Sequence, residues 1–509
     1  MQTYQDLLIV GDNEENRMTF VRNAIDQFKG SPEYEMAKVA DEYYRHQNRT
    51  ILQHENMLTT VTGRMVKDEW SPNHKSVSNF FFRFITMQNQ YLLGNGIRWS
   101  GRTVKVPENT EQAQREWVWD ELPETDINGV QSITGHYEYH VTLDSGVKEK
   151  LGADFDNRMI DLGEAALVEG VSFAYYCLDH IEVFKLLEFV PLFDEDDGAL
   201  KAGIRFWQIS PEKPLRATLY EIDGYTDYIW RKREMDGKVV EIADVYSEKK
   251  PYININKGTK VDGYQIYDGR NYDGFPIVPL YGNKMKQSEF VGMQDGIDAY
   301  DFIKNGFEND LDSAKLYWII RGAGGDDNTE LARFLDRLKV NKVAAVDDGQ
   351  DITPVTVNIP YAEREALLNR IAKDLYDDFM SFDITNTASS TDTATGIKAM
   401  YTAMDLKCDL YESCVTDFLL SLLKIVGIKD KPIYTRNQNI NKAEEIDNLL
   451  KLANYVDSEY ITRKGLSILG DTDAVEEVLK RIELENMQRM GLALQMQEQE
   501  NPLEVGTEE

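Results

Sequence analysis

Cysteine is scarce. The 509 residues hold three, Cys177, Cys408 and Cys414, and none stands in a CxxC pair. An odd, sparse set excludes a disulfide framework and fits a reducing compartment. No apolar run approaches the roughly 18–20 residues that cross a bilayer, so no membrane contact is expected. Met1 to Asp12 has neither a basic n-region nor an apolar h-region, so no signal peptide is expected and synthesis is placed in a cytoplasm. The phosphate loop G-x-x-x-x-G-K-[ST] is missing, and Gly322-Ala-Gly-Gly325 lacks its lysine and reads as a turn. Neither G-x-S-x-G nor H-E-x-x-H occurs. His136 and His140 share a face, but no third ligand is evident. Cys408 and Cys414, six apart on a helix, read as packed residues. Asp194-Glu-Asp-Asp197 lacks EF-hand spacing and reads as a hairpin turn. With 88 acidic residues, no acid–base pair can be singled out. No catalytic residue, metal or cofactor is therefore expected.

What is present is acidic. Against 88 acids stand 56 Lys and Arg, a net charge of −32. Such a surface repels phosphate at long range and excludes a generic high-affinity DNA-binding module. It permits a wall that DNA slides past, because a basic wall would hinder sliding. The 42% apolar and 28% charged fractions are those of a globular chain long enough for several folding units. Only the tail beyond Met487 is too polar to order itself.

Along the chain, residues 14–60 read as helical, with Val21, Ile25 and Phe28 apolar. Ser76–Leu93 reads as an aromatic-rich helix ending at Gly94. Residues 100–150 are mixed. Residues 154–169 return to helix on Phe155, Met159, Leu162 and Ala166. From Gly170 to Pro279 the pattern is β, with Asp-Gly pairs at 197–198, 223–224, 236–237, 262–263, 268–269 and 273–274 as hairpin signals. A long helix over Glu289–Lys315 is predicted from Met293, Ile297, Tyr300, Ile303, Phe307 and Leu311, with Asp295, Asp298, Asp301 and Glu308 off the stripe. Residues 316–359 read as a small α/β insert. A second long helix, Tyr361–Phe382, is striped by Leu367, Ile371, Leu375 and Phe379. A polar loop at 385–395 leads to a third, from Gly396 to Val426. The remainder is helical, with Asn441/Glu444 and Asp473/Glu476 at cap spacing. The fold class is α+β.

The order of several segments resembles the phage portal protein family, of the type found in siphophages of Gram-positive bacteria, over residues 35–485. Asn73-His-Lys-Ser-Val-Ser-Asn79 with Tyr91-Leu-Leu-Gly-Asn95 is similar to an "N…V.N…Y.LG.P" segment, with Gly96 where proline is usual. Leu167-Val-Glu-Gly170 with Phe173-Ala-Tyr-Tyr176 resembles the next. Phe275–Asn283, Ile297-Asp-Ala-Tyr-Asp301 and Asn309-Asp-Leu311 resemble a "P…F.N…LID.YN…ND" block. Thr395-Gly-Ile-Lys-Ala-Met-Tyr401 resembles an "SG.A.KYKL" helix start, with threonine for serine. Tyr434–Asn437 and Tyr460–Glu477 resemble the C-terminal helices.

The resemblance implies a subunit of a closed homo-oligomeric ring of about twelve copies. It implies a mixed α/β wing (1–284), stem helix 1 (285–314), clip (315–359), stem helix 2 (360–384), tunnel loop (385–395), long wing helix (396–428), and crown with a flexible acidic tail (429–509). The implied function is a channel at one capsid vertex that passes double-stranded DNA without reading its sequence. The implied partners are the terminase packaging motor, the scaffolding and major capsid proteins and the head-to-tail adaptor. The implied location is the virion, after assembly in the host cytoplasm. Channel-facing acids would be Asp374, Asp377 and Asp378. Loop residues touching DNA would be Asn386, Thr387, Ser389, Ser390, Thr391, Asp392, Thr393 and Thr395. The clip's contact with motor or adaptor would use Arg333, Arg337, Lys339 and Lys342. The alternatives are another ring-forming virion protein of the neck or baseplate, or an acidic hydrolase.

Overall fold

The computed structural model describes residues 2–59, 64–68, 71–107, 114–119, 124–125, 131–132, 135–235, 238–261, 264–313, 317–321, 351–355, 360–383, 394–437, 442–453, 455–469, 475 and 478–482. Internal contacts divide the chain into two units. The first is Met1–Ser381 with Met404–Asn437, and the second is Phe382–Ala403 with Gln438–Glu509.

The first unit opens with α1 (Tyr4–Val10), α2 (Glu14–Lys29) and α3 (Pro32–Tyr44). Each start is fixed by a side chain: Thr3 in a capping box with Asp6, Asn13 accepting from the amides of Glu15 and Asn16, and Ser31 accepting from Tyr34 with Pro32 in the first turn. The aromatic helix α4 (Phe80–Leu93) buries Phe80, Phe81, Phe84, Tyr91 and Leu92. Residues 100–150, least legible in the sequence, contain an antiparallel sheet of β1 (Arg102–Val106), β2 (Gln114–Trp119) and β3 (Gly135–Leu143), with β3 central.

Helix α5 (Phe155–Glu169) ends at Gly170, whose φ of +92° turns the chain into β4 (Val171–Cys177). A β-carbon at Gly170 would also press on the backbone of Gln287 and Ser288. Strand β4 pairs with β5 (His180–Lys185) and later with β13 (Ile277–Tyr281). Between them an antiparallel meander runs through β6 (Phe189–Phe193), β7 (Leu200–Trp207), β8 (Leu215–Glu221), β9 (Gly224–Met235) and β10 (Lys238–Lys250). A separate hairpin follows, β11 (Ile253–Val261) and β12 (Tyr264–Arg270).

The Asp-Gly signals at 197–198 and 223–224 fall at joints between paired strands, 273–274 falls in the loop before β13, and 236–237 and 262–263 lie outside the described residues. Asp268-Gly269 does not turn: it lies inside β12. Opposite it β11 takes three residue steps, Ile253 to Asn256, where β12 takes two. The glycine thus sits against a bulge, the other role a strand glycine plays.

Strand β4 is buried on both faces, which explains its apolar run from Phe173 to Cys177. Ala174 and Tyr176 join a core with α3, α4, α5 and the long helix α8 described below. Phe173 and Tyr175 join a second core with α1, α2 and the meander.

Next come α6 (Gln294–Ser313), the strand pair β14 (Tyr317–Arg321) and β15 (Asp351–Val355), and α7 (Tyr361–Asp378). Helix α6 starts later than the expected Glu289. Ser288 donates to the carbonyl of Val168, the Glu289 amide bonds Leu167, and Gly292 has a φ of +87°, so 288–293 is pinned to α5 as turns. Helix α8 (Ala394–Val426) contributes its first residues to the second unit and the rest to the first. The second unit also holds α9 (Lys442–Leu452) and α10 (Ser458–Leu469), where Gly465 meets Leu449. Among the described residues, no helix is long and apolar enough to cross a membrane.

Candidate functional site

Helices α6 and α7 lie side by side and antiparallel. Leu375 packs where Gly296 leaves room for it. Further along, Arg364 forms an ion pair with Asp310, and Tyr361 meets the Phe307 ring edge-on at 5.5 Å. Leu375, Tyr376 and Phe379 are buried and Ile371 is half-buried, whereas Leu367 is exposed, so the expected stripe is covered only at its C-terminal end. Asp377 and Asp378 are exposed on the side away from that core. Asp374 is half-exposed and its charge is countered: Arg370, one turn earlier, donates to both its oxygens at 2.9 and 3.0 Å. The helix as a whole carries five acids and three bases.

On α6 the acids divide in a way the helical pattern does not disclose. Asp298 and Asp301, expected off the apolar stripe, are tied inward. Asp298 accepts from the Tyr43 hydroxyl (2.6 Å) and from Asn48 (2.9 Å), and Asp301 accepts from Asn48 (2.9 Å). Burial lifts the Asp301 carboxyl above its ordinary range, and bonds from Ser78 and Asn48 pull the other way.

Asp301, Asn305 and Asn309 stand one turn apart and capture alternate amides of an extended segment. The Ser78 amide bonds Asp301 (2.9 Å), that of Ser76 bonds Asn305 (2.6 Å) and that of His74 bonds Asn309 (2.7 Å). Four helical residues rise ~6.0 Å and two extended residues ~6.6 Å, so the repeats match over this length. Asn305 also donates to the Ser76 carbonyl, the Ser76 hydroxyl bonds Glu308, and His74 pairs with Asp312. Two segments that carry the sequence resemblance, 73–79 and 297–311, are therefore one interlocked element. Asn48 and Asn305 were not singled out in the sequence; the spacing of Asp301, Asn305 and Asn309 is the signal that could have found Asn305, and no local signal marks Asn48.

The tunnel-loop residues Asn386, Thr387, Ser389, Ser390, Thr391, Asp392 and Thr393 lie outside the described residues. Thr395 lies in helix α8, which starts two residues before the expected Gly396. Phe382 and Tyr401, on either side of this stretch, meet edge-on at 4.8 Å, so the chain returns close to where it left. Arg333, Arg337, Lys339 and Lys342 also lie outside the described residues. Of the expected site residues that are described, the three stem acids lie on α7 and Thr395 on α8.

Helix α8 is held by polar groups inside the first unit. The Tyr411 hydroxyl donates to Asn89 (3.2 Å) beside Gly163, where a β-carbon would collide with both. Lys407 is nearly buried. It reaches Glu289 at 2.8 Å and the Phe379 carbonyl at 3.1 Å, with its ammonium over the Phe379 ring. Burial lowers the Lys407 pKa and Glu289 opposes that shift. Cys408 and Cys414 are buried in packing, and burial raises both thiols.

The family model described as "Phage portal protein, SPP1 Gp6-like" matches residues 30–491, and the chain belongs to that family. A portal protein of Clostridium phage phiCD119 (strain Clostridium difficile/United States/Govind/2006) is 26% identical over 266 residues, 48% of this chain; the chain spans 58% of that relative's length. Among solved structures, a chain in the neck of an empty GTA particle computed with C6 symmetry has 12% identity and a TM-score of 0.38, covering 77% of this chain and 90% of that one. A chain in the neck of a native GTA particle computed with C12 symmetry has 14% identity and a TM-score of 0.32, covering 62% and 81%.

Proposed function

We propose that copies of this chain close into a ring at one capsid vertex, through which double-stranded DNA is packaged and later ejected. The observation that carries the reading is membership of the portal family across residues 30–491. Portal proteins are structural components of virions and not enzymes, and in this reading the ATP-hydrolysing motor is a separate protein. Residues 1–284 serve as wing, 285–314 and 360–384 as stem, 315–359 as clip, 385–395 as tunnel loop, 396–428 as wing helix and 429–509 as crown.

The paired helices α6 and α7 support the stem assignment. Their apolar residues are only partly covered within one chain, with Leu311, Tyr361 and Leu367 about half-exposed, as expected where a neighbouring copy packs. Asp377 and Asp378 face away from the core, so a ring would repeat them around its channel. Repeated carboxylates repel phosphate and keep a duplex centred without trapping it. Asp374 contributes less to that field, because Arg370 neutralises it.

The loop composition, Ser, Thr, Asn and Ala with one acid, suits contact with a DNA backbone without base reading. The test is to replace residues 386–395 with a Gly-Ser segment of equal length. Ring assembly should survive and DNA packaging should stop; normal packaging would overturn the loop's role. Reversing the charge of Arg333 and Arg337 should weaken engagement of the packaging motor, and unchanged motor-driven packaging would remove the clip from the proposal.

A further inference from the structure

We propose that Cys177, His180 and Glu182 form a binding site for a zinc-class divalent cation at the turn of the β4–β5 hairpin. Antiparallel register sets Cys177 directly opposite His180. Glu182 lies two residues further along β5, so strand alternation puts all three side chains on one face. The Cys177 sulfur, a ring nitrogen of His180 and a carboxylate oxygen of Glu182 all lie within 4.8 Å of one another, in a partly buried setting. Donors around a tetrahedral zinc at 2.0–2.3 Å lie about 3.3–3.8 Å apart, so closing the site takes side-chain movement of about 1 Å.

A second observation concerns orientation. Asp179 Oδ1 lies 2.9 Å from His180 Nδ1. A carboxylate can only accept, so Nδ1 carries the proton and Nε2 keeps its lone pair. A carboxylate held against the far nitrogen is how metal-ligating imidazoles are oriented. Glu182 is held likewise: Arg205 Nη1 bonds its Oε2 at 3.3 Å, leaving Oε1 available. Leu178, between the ligands, has a φ of +60° and its amide bonds the Tyr272 hydroxyl (2.9 Å), which fixes the turn that presents them.

The donor set selects the metal. Sulfur, nitrogen and one oxygen suit zinc, whereas calcium and magnesium take oxygen ligands. On binding, the Cys177 thiol releases its proton to solvent and the thiolate coordinates, with the fourth position left to water. The cation would staple the hairpin turn at the rim of the second core, against which Cys177 packs.

The test uses the full chain, reduced and stripped with chelator, then titrated with Co2+ alone. About one equivalent per chain should produce a thiolate-to-cobalt charge-transfer band with tetrahedral ligand-field absorption, both removed by excess Zn2+. Cys177→Ser and His180→Ala should abolish the band, and Asp179→Asn should weaken Co2+ binding about 10–100-fold. Cys414→Ser should leave it intact. Absence of a thiolate band in the unaltered protein, or its persistence in Cys177→Ser, would overturn the site. Should Cys177→Ser fail to fold, His180→Ala decides, because that side chain is partly exposed; undiminished Co2+ affinity there would overturn the proposal.

Discussion

Replacing Asn305 by alanine tests whether the 71–79 segment is held by the side-chain ladder on α6. Asn305 is 5% exposed. It accepts from the Ser76 amide (2.6 Å) and donates to the carbonyls of Ser76 (2.8 Å) and Asp301 (2.7 Å). Alanine would strand the N–H and C=O of Ser76 in a half-buried position. Each stranded group costs about 1–3 kcal/mol. Water at the open edge offsets part of this, so the net loss should be about 2–4 kcal/mol. The loss is local, because the neighbouring bonds of His74 to Asn309 and of Ser78 to Asp301 remain. Local opening should therefore become about 30- to 1,000-fold easier, at tenfold per 1.4 kcal/mol. Hydrogen exchange followed by mass spectrometry over residues 71–80 reads this directly. Protection there should collapse while that of β4 and β5 stays unchanged. Asn305→Asp, which keeps the acceptor and loses the donor, should fall between. A loss under threefold, or one spread equally into β4 and β5, would refute the ladder as the holding element.

Three further outcomes follow from packing and charge. Glu169 is buried, and burial raises its pKa to about 7 against bonds from the amides of Leu187 and Leu186. The folded state therefore holds its proton more tightly than the unfolded chain, so this group's stabilisation is full below pH 4.5 and is lost as pH rises through 7. Glu169→Gln should remove up to about 3 kcal/mol of that pH dependence, seen as denaturation midpoints that no longer fall between pH 5 and 8. Gly163→Ala should lower stability by about 1–3 kcal/mol despite alanine's higher helix propensity, because the new methyl meets Tyr411 and Asn89; a raised thermal midpoint would contradict the packing. Lys407→Met should cost about 3–5 kcal/mol by leaving the largely covered Glu289 without its cation, and adding Glu289→Leu should recover much of that loss in the thermal midpoint.

The alternating aromatic and β-branched runs with Asp-Gly joints made the meander legible, because both signals act over a few residues. Asp268-Gly269 misled for the same reason: whether that pair turns or lies against a bulge depends on the partner strand. The stripe of Ile297, Tyr300 and Phe307 disclosed α6, but its start did not show, since Ser288 and Glu289 are held by carbonyls of α5, far away in sequence. The inward role of Asp298, Asp301 and Asn305 was hidden because hydrophobic periodicity treats any polar residue as facing water. Here the neighbour is an extended backbone whose amides need acceptors. Of the candidate site, Asp377 and Asp378 are exposed in the single chain, while the Arg370 pairing that discounts Asp374 was open to view in the i, i+4 spacing.

The measurement that bears most directly on the central claim is electron microscopy of the purified full-length protein, with mass photometry on the same sample over a range of concentrations. Closed rings of about a dozen copies around a channel wide enough for a DNA duplex are expected. A chain that remains monomeric or dimeric at the highest concentrations, or that closes around a channel too narrow for a duplex, would contradict it.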